Sequence, residues 1–299
     1  MGIGYLGARM MWDASQRGVS FDRVLTLGHQ SLRLFPSEVD FFRNAYWQAF
    51  GSRVTSIDDH RWDGYVDGFL RDFLGAESIT VLDASPYEDA DTIHDMNNPV
   101  PEEWHGKYDA VIDGGSLEHI FNVPTAFANL SNMLKVGGTI FLNTPANNMM
   151  GHGFYQFSPE LMFRIFSEAN GFALQNVLLY EARYPGVELN KKTTIYEVVD
   201  PDRIRQRVGL LNKKPVIMMV EATKIRDVQM FATPPLQSDY LVMWNNSEEE
   251  GTTPSWRHRV KHAIRALPIA VRAPIQGYRQ KHAFSLNNSG FYTRQRWRP

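Results

Sequence analysis

The chain reads as an α/β domain, a parallel sheet flanked by helices on both faces, and three observations predict it. Between about residues 20 and 225, short β-branched apolar runs alternate with helical patterns. Gly28, Asp83, Asp95 and Asp113 fall at the ends of such runs, where an open parallel sheet presents its ligand-binding edge. With 299 residues, 43% hydrophobic and 21% charged, the chain can bury a sizeable core and is too apolar to be wholly disordered.

Strands are expected over Arg23–Gly28, Ile79–Asp83, Thr92–Asp95, Tyr108–Asp113 and Gly138–Asn143, followed by two longer ones, Ala173–Arg183 and Lys214–Lys224. The first two are separated by helices over Ser37–Phe50 and Gly64–Leu74. Val123–Val136 spaces Phe127, Leu130 and Leu134 three and four apart and runs into Gly137-Gly138, which predicts a core-facing helix with a glycine stop. Ser158–Asn170 opens with a serine cap and Pro159 at the first helical position, and ends at Gly171. Pro185–Asn212 is polar and irregular, with a short helix near Asp202–Leu210. Residues 1–19 read as an N-terminal extension and 20–225 as the domain. Residues 226–250, rich in Pro, Asn, Ser and Glu, read as a linker, and 251–299 as a basic tail whose last twenty residues are poorly ordered. Within the tail, Trp256–Tyr278 has helical character interrupted by Pro268 and Pro274.

Composition removes several chemistries. There is no cysteine, which excludes a disulfide scaffold, a thiolate zinc site, an iron–sulfur cluster and a cysteine nucleophile. No apolar run approaches the roughly 20 residues of a membrane span, and Met1–Tyr5 lacks the basic-then-apolar start of a secretory signal, so a soluble cytoplasmic protein is expected. Ten of the 31 basic residues and none of the 33 acidic ones follow Glu250. That tail, with Trp256, Arg257, Arg259, Tyr278, Arg279, Arg294, Trp297 and Arg298, suits a docking arm for a partner or an anionic surface and carries no strong nucleic-acid signal. Gly2, Gly4 and Gly7 fit G-x-G-x-x-G, but pyrophosphate binding needs that turn to follow a strand, and none is expected before residue 2. No H-E-x-x-H spacing occurs, Asp58-Asp59-His60 reads as a solvated turn, and no metal is expected. A G-x-S-x-G nucleophile elbow is also absent.

The informative stretch is 81–148. The second strand ends in Leu82-Asp83-Ala84-Ser85-Pro86, the third in His94-Asp95-Met96, and the fourth in Ile112-Asp113-Gly114-Gly115-Ser116-Leu117-Glu118-His119. The next helix runs into Leu134-Lys135-Val136-Gly137-Gly138, and Gly151-His152-Gly153-Phe154-Tyr155-Gln156-Phe157 follows the fifth strand. In this order the segments resemble class I S-adenosylmethionine-dependent methyltransferases of the small-molecule, type 11-like branch, over roughly residues 20–225. The resemblance implies a Rossmann-like, seven-stranded sheet of five parallel strands plus a C-terminal antiparallel hairpin, with S-adenosylmethionine as cofactor. Asp83 would accept the ribose hydroxyls, Asp95 with Met96 would meet the adenine, and Gly28, Asp113, Gly114 and Gly115 would lie along the methionine part, the glycines leaving no Cβ in the way. The family's acidic residue and three spaced glycines after the first strand are replaced here: Thr26 stands for the acid, and Gln30 and Leu32 for two of the glycines. Either His29, Gln30 and Ser31 hold the methionine end differently, or the pocket is partly closed.

The expected reaction is methyl transfer to a small-molecule or glycan acceptor, most simply O-methylation, in which the protein aligns acceptor and sulfonium. His119, His152 and Tyr155 are the catalytic candidates, since an imidazole titrates near neutrality and can take a hydroxyl proton. The rival reading is a methyltransferase-fold protein that has lost catalysis and serves as a binding or scaffold subunit. A nicotinamide oxidoreductase is disfavoured because no glycine fingerprint follows a strand.

Overall fold

A computed structural model describes residues 2–54, 64–182, 193–238, 268–295 and 297. The segment expected as an N-terminal extension instead begins the fold. β1 (Gly2–Gly4) leads into α1 (Tyr5–Gln16), which buries Tyr5, Leu6, Ala8, Met10, Met11, Trp12 and Ala14. Buried residues on most sides of the helix, rather than along one stripe, mark it as an interior element. β1 pairs in parallel with β3 (Ser31–Arg33), which pairs with β4 (Gly64–Tyr65) in a small three-stranded sheet. The strand holds the first two glycines instead of preceding them, and Gly2 has a packing reason: a Cβ there would collide with Ser31 Oγ.

α2 (Pro36–Phe50) and α3 (Asp67–Leu74) follow. Phe69, Leu70, Phe73 and Leu74 of α3 repeat at helical spacing and are buried, with Phe69 ring to ring against Phe42 and Phe73 against Trp12. The helix expected from Gly64 starts at Asp67, because Gly64 and Tyr65 are used by β4.

The main sheet is built on β2 (Arg23–Leu27). β5 (Ser78–Asp83) lies on one side with β6 (Thr92–Ile93) beyond it; β7 (Tyr108–Asp113) lies on the other with β8 (Leu134–Asn147) beyond. All five are parallel. β11 (Val216–Lys224) then inserts antiparallel between β8 and β9 (Phe172–Glu181). The order β6-β5-β2-β7-β8-β11-β9 is the expected arrangement of five parallel strands and an antiparallel hairpin. β10 (Ile195–Val198) and β12 (Tyr292–Gln295), neither expected, extend it to nine. The chain leaves β2 for β5 in one direction and later returns for β7 in the other. Right-handed crossovers then put the two sets of connecting helices on opposite faces and open a crevice where the strands diverge.

Two helices end earlier than their sequence suggests. α4 (Val123–Met133) stops before Leu134, which already belongs to β8. Gly137 and Gly138 therefore lie in a strand. A Cβ on Gly138 would come 2.9 Å from the Asp109 carbonyl, and the β7–β8 register shifts between Tyr108 and Ala110. The last carbonyls of α4 are met by a buried lysine: Lys224 Nζ donates to Ser131 O at 2.9 Å and Leu134 O at 3.1 Å and pairs with Asp227 at 2.7 Å. α5 (Pro159–Ile165) has the expected cap, Ser158 Oγ accepting the Leu161 amide at 3.3 Å, but gives way to a separate 3₁₀ turn at Glu168–Asn170.

The chain forms two compact units: residues 1–197, 214–235 and 294–299 in the first, 198–213 and 236–293 in the second. The expected linker is packed over its first part, where Met230 is buried and the Phe231 amide donates to Asn170 Oδ1. The second unit holds α6 (Pro201–Ile204) and α7 (Ile269–Ala283), which contains Pro274. There Tyr292 Oη donates to the Gly209 carbonyl at 2.9 Å, and the Leu211 amide donates to the Phe284 carbonyl at 2.8 Å. The last twenty residues are thus not a loose tail: they include the end of a helix, a strand, and buried Phe291 and Tyr292. Asp58-Asp59-His60, Trp256, Arg257, Arg259 and Arg298 lie outside the described residues. No described helix is long and apolar enough to cross a membrane.

Candidate functional site

At the C-terminal ends of β2, β5, β6 and β7 lies a cavity of about 220 Å³, lined by Leu27, Gly28, Leu82, Asp83, Ala84, His94, Asp95, Met96, Asn97, Ser116, His119 and Ile120. Five of the residues singled out in the sequence meet here: Gly28, Asp83, Asp95, Met96 and His119. Gly28 turns the chain at the end of β2 with φ +70°, its amide held by the Leu82 carbonyl at 2.7 Å. Asp83 ends β5; its Oδ1 accepts the Ser85 amide at 3.2 Å. Asp95 organises its own turn, accepting the Asn97 amide at 2.9 Å and the Asn97 side chain at 2.7 Å. These bonds, the backbone one foremost, hold its carboxyl below the usual range. Met96 is fixed from beneath, because the buried Asn129 side chain on α4 donates to its carbonyl at 3.3 Å and to the Asn98 carbonyl at 2.8 Å.

Asp113, Gly114 and Gly115 stand beside this cavity without lining it. The buried Asp113 carboxylate accepts the amides of Gly115 (3.2 Å), Ser116 (2.7 Å) and Leu117 (3.4 Å), so it caps the turn after β7. Burial raises its pKa to about 6 against these bonds. Gly114 is covered by Gln30: a Cβ there would collide with Gln30 Oε1 and lie 3.1 Å from its Cδ and 3.3 Å from Ile3 Cγ1. Gln30 is fully buried, donates from Nε2 to the Leu27 carbonyl, and leaves Oε1 without a hydrogen bond. His29 is turned to other partners, its ring stacked on Tyr65 with Nε2 3.0 Å from Asp67 Oδ2. The chain then enters β3, not a glycine-rich turn into a helix.

A second group of polar side chains adjoins the cavity through His119. Leu117–His119 form a 3₁₀ turn, and the loop at residues 151–157 lies down on it. The amides of Phe154 and Tyr155 both donate to the Glu118 carbonyl, at 2.8 and 3.2 Å. Gly153, at φ +138°, permits this approach, since a Cβ would come 2.9 Å from that carbonyl. Tyr155 Oη donates to the Phe121 carbonyl at 2.8 Å, so the phenol fastens the loop. His152 is thereby held over the turn, its Nε2 3.6 Å from Glu118 Oε1 and its ring centroid 5.6 Å from that of His119. Glu118 is buried; desolvation and the nearby Asp113 charge raise its pKa to about 8. Burial, then the His152 charge, lowers that of His119.

Sequence reasoning named His119 and His152 but not the carboxylate between them, nor Asn97 and Ser116 on the cavity wall. For Glu118 the signal was present, as it adjoins His119 in the Leu117-Glu118-His119 segment. Its burial beneath a loop 33 residues later was not readable.

No family model and no curated protein matches the chain. Among solved structures it is similar to a 1,6-didemethyltoxoflavin-N1-methyltransferase of Burkholderia thailandensis bound to S-adenosylhomocysteine, at 11% identity and TM-score 0.39, covering 74% of this chain and 79% of that one. An S-adenosylmethionine-dependent methyltransferase from Mesorhizobium loti gives 13% identity and TM-score 0.37 over 73% of this chain and 97% of that one. A branched-chain polyamine synthase from Thermus thermophilus, in complex with N4-aminopropylspermidine and 5'-methylthioadenosine, gives 14% identity and TM-score 0.37 over 78% and 59%. Likeness at this level assigns neither a reaction nor a ligand to this chain.

Proposed function

We propose that the first unit binds S-adenosylmethionine and transfers its methyl group to a small-molecule or glycan acceptor, in the manner of class I methyltransferases. The observation that carries this reading is the convergence of Gly28, Asp83, Asp95 and Met96, from three successive strand ends, on one cavity at the point where the strand order reverses. Asp83 offers a carboxylate to a ribose diol, and the turn at 95–97 offers an edge to a purine. The sulfonium carries the reactive methyl, so the protein's task is to align an acceptor with it. His119, on the cavity wall, and His152, beside it, stand where an acceptor hydroxyl would be activated, and the Tyr155-fastened loop would form the acceptor wall.

One observation favours the rival reading of a non-catalytic binding protein: Gln30 covers Gly114, where the methionine part of the cofactor would lie. Calorimetric titration with S-adenosylhomocysteine and, separately, with adenosine separates the two. Saturable binding of S-adenosylhomocysteine, tighter than adenosine, supports the enzyme. Binding of adenosine alone, or of neither, supports the rival.

A further inference from the structure

We propose that Glu118, His119 and His152 form a binding site for a divalent transition-metal ion at the rim of the cavity. One ligand atom from each, a carboxylate oxygen and two imidazole nitrogens, can be chosen so that all lie within 4.8 Å of one another. Such a set already approaches the spacing that ligands around one small cation require.

A second observation concerns the carboxylate itself. Glu118 is fully buried, and its Oε1 has no hydrogen-bond partner. Its sister oxygen receives only the Thr144 hydroxyl at 3.4 Å. Among the described residues no lysine or arginine pairs with it; the facing side chain is the imidazole of His152, its Nε2 3.6 Å away. A buried carboxyl oxygen without a hydrogen-bond partner is costly as it stands, and a cation that displaced the carboxyl proton and drew in the two imidazoles would satisfy it. The loop supports the arrangement. Two backbone hydrogen bonds to the Glu118 carbonyl and the positive φ of Gly153 fix residues 152–155 against the turn, so His152 is positioned by main chain.

The ligand chemistry selects the ion. Two nitrogens and one oxygen, with no thiolate in the chain, suit Zn²⁺, Co²⁺ or Mn²⁺ better than Mg²⁺ or Ca²⁺, which take oxygen ligands. Three protein ligands leave open positions, the mark of a site that receives a further ligand and not of a closed structural one. Because His119 also lines the cavity, that further ligand would enter from the acceptor side. With a cation present the two histidines serve as ligands and not as bases. This goes beyond the methyl-transfer reading and does not require it.

The test uses the tag-free, full-length protein dialysed against chelator, then titrated with Zn²⁺, Co²⁺ and Mg²⁺ by calorimetry and equilibrium dialysis. Expected are one Zn²⁺ or Co²⁺ per chain, little Mg²⁺, and a ligand-field absorption of bound Co²⁺ indicating nitrogen and oxygen donors. Glu118→Gln preserves the side chain's shape and His152→Ala alters a partly exposed loop residue, and thermal melting identifies the variants that stay folded. Each should weaken Zn²⁺ binding more than about tenfold without changing affinity for S-adenosylhomocysteine, which keeps failure of the metal site distinct from failure of the cofactor reading. Zn²⁺ binding that is absent, or equally tight in the folded variants, overturns the proposal.

Discussion

Replacing Asp83 with alanine perturbs the cavity at one pair of atoms. Oδ1 is engaged by the Ser85 amide, whereas Oδ2 accepts no hydrogen bond from the described residues and faces Gly28, where a Cβ would stand 3.5 Å away. In the cofactor-bound protein a ribose hydroxyl would donate to Oδ2, and a second would share Oδ1. A hydrogen bond to a charged group contributes about 1.5–3 kcal/mol. Asp83 is half-buried and Oδ1 is already partly used, so one bond near the lower end of that range, about 1.5–2 kcal/mol, is the expected loss. That corresponds to a dissociation constant for S-adenosylhomocysteine raised about 10–30-fold. Asp83→Asn keeps an acceptor for the Ser85 amide and loses the charge, and should fall between wild type and alanine. Calorimetry gives the affinities, and circular dichroism with thermal melting shows that the variants are folded. A folded Asp83→Ala with unchanged affinity would refute the ribose assignment, because no other described carboxylate lines the cavity except Asp95, which sits on the turn after β6.

His152→Ala and Tyr155→Phe should lower turnover and leave S-adenosylhomocysteine affinity unchanged, since neither lines the cavity. In the metal-free protein, where His152 can act as base, its loss is expected to cost about 10²–10⁴-fold and the tyrosine loss about 1 kcal/mol of loop fastening; a screen of sugar and phenolic hydroxyls must first supply the acceptor, and two fully active variants would sink the loop's role. Gln30→Ala should melt at lower temperature, having lost the bond to the Leu27 carbonyl, yet bind S-adenosylhomocysteine more tightly by uncovering Gly114; weaker binding would mean that Gln30 is itself a ligand. Asp113, with its folded pKa raised from 3.8 to about 6, keeps a proton that the unfolded chain releases. Stability should therefore fall as pH rises from about 4 to 6, by at most about 3 kcal/mol, and chemical denaturation of metal-free Asp113→Asn across that window should show a flatter profile. An equally steep profile would place the proton elsewhere. Lys224→Ala strips the Ser131 and Leu134 carbonyls of their buried donor and should cost about 1–3 kcal/mol in denaturant unfolding; a loss under about 0.5 kcal/mol would show that water replaces it.

How much of this was legible depended on whether the signal was local. β7 is observed over Tyr108–Asp113, as its apolar run bounded by Asp113 and Gly114 suggested, and β2 and β5 follow the same rule. Gly137-Gly138 misled because glycine after a helical pattern is ordinarily a stop; what needed the glycine was β7, paired with β8 in space but separated from it in sequence by α4. β10 and β12 were missed for a related reason. A four-residue strand such as Ile195–Val198 is defined by its partner, here β9, and not by its own period. In the cavity, the aspartates and glycines at strand ends were readable because the sheet's geometry fixes where such residues must lie. Asn129 and Glu118 were not, since each acts through a partner far off in sequence, the 96–98 turn for one and the 152–155 loop for the other.

The N-terminal strand and the altered turn after β2 are two sides of one structural change. A glycine-rich turn leads its chain into a helix and leaves the strand ends bare, whereas here residues 31–33 remain extended because β1 offers them a parallel partner. That pairing carries Ile3 over the end of β7, to within 3.3 Å of a Cβ on Gly114, and fixes Gln30 between Gly28 and Gly114. β1 is in turn anchored by α1, whose buried Met10, Met11 and Trp12 could not leave without opening the core. On the proposed reading, the segment that looked like an extension would therefore control the methionine end of the cofactor site, and the 151–157 loop would bear on the acceptor end. Access to the two ends is governed by elements of unlike stability: one buried in the core, the other fastened by a tyrosine hydroxyl and two backbone hydrogen bonds. On the proposed reading, an acceptor would be exchanged by opening of this loop alone, with the cofactor end left undisturbed.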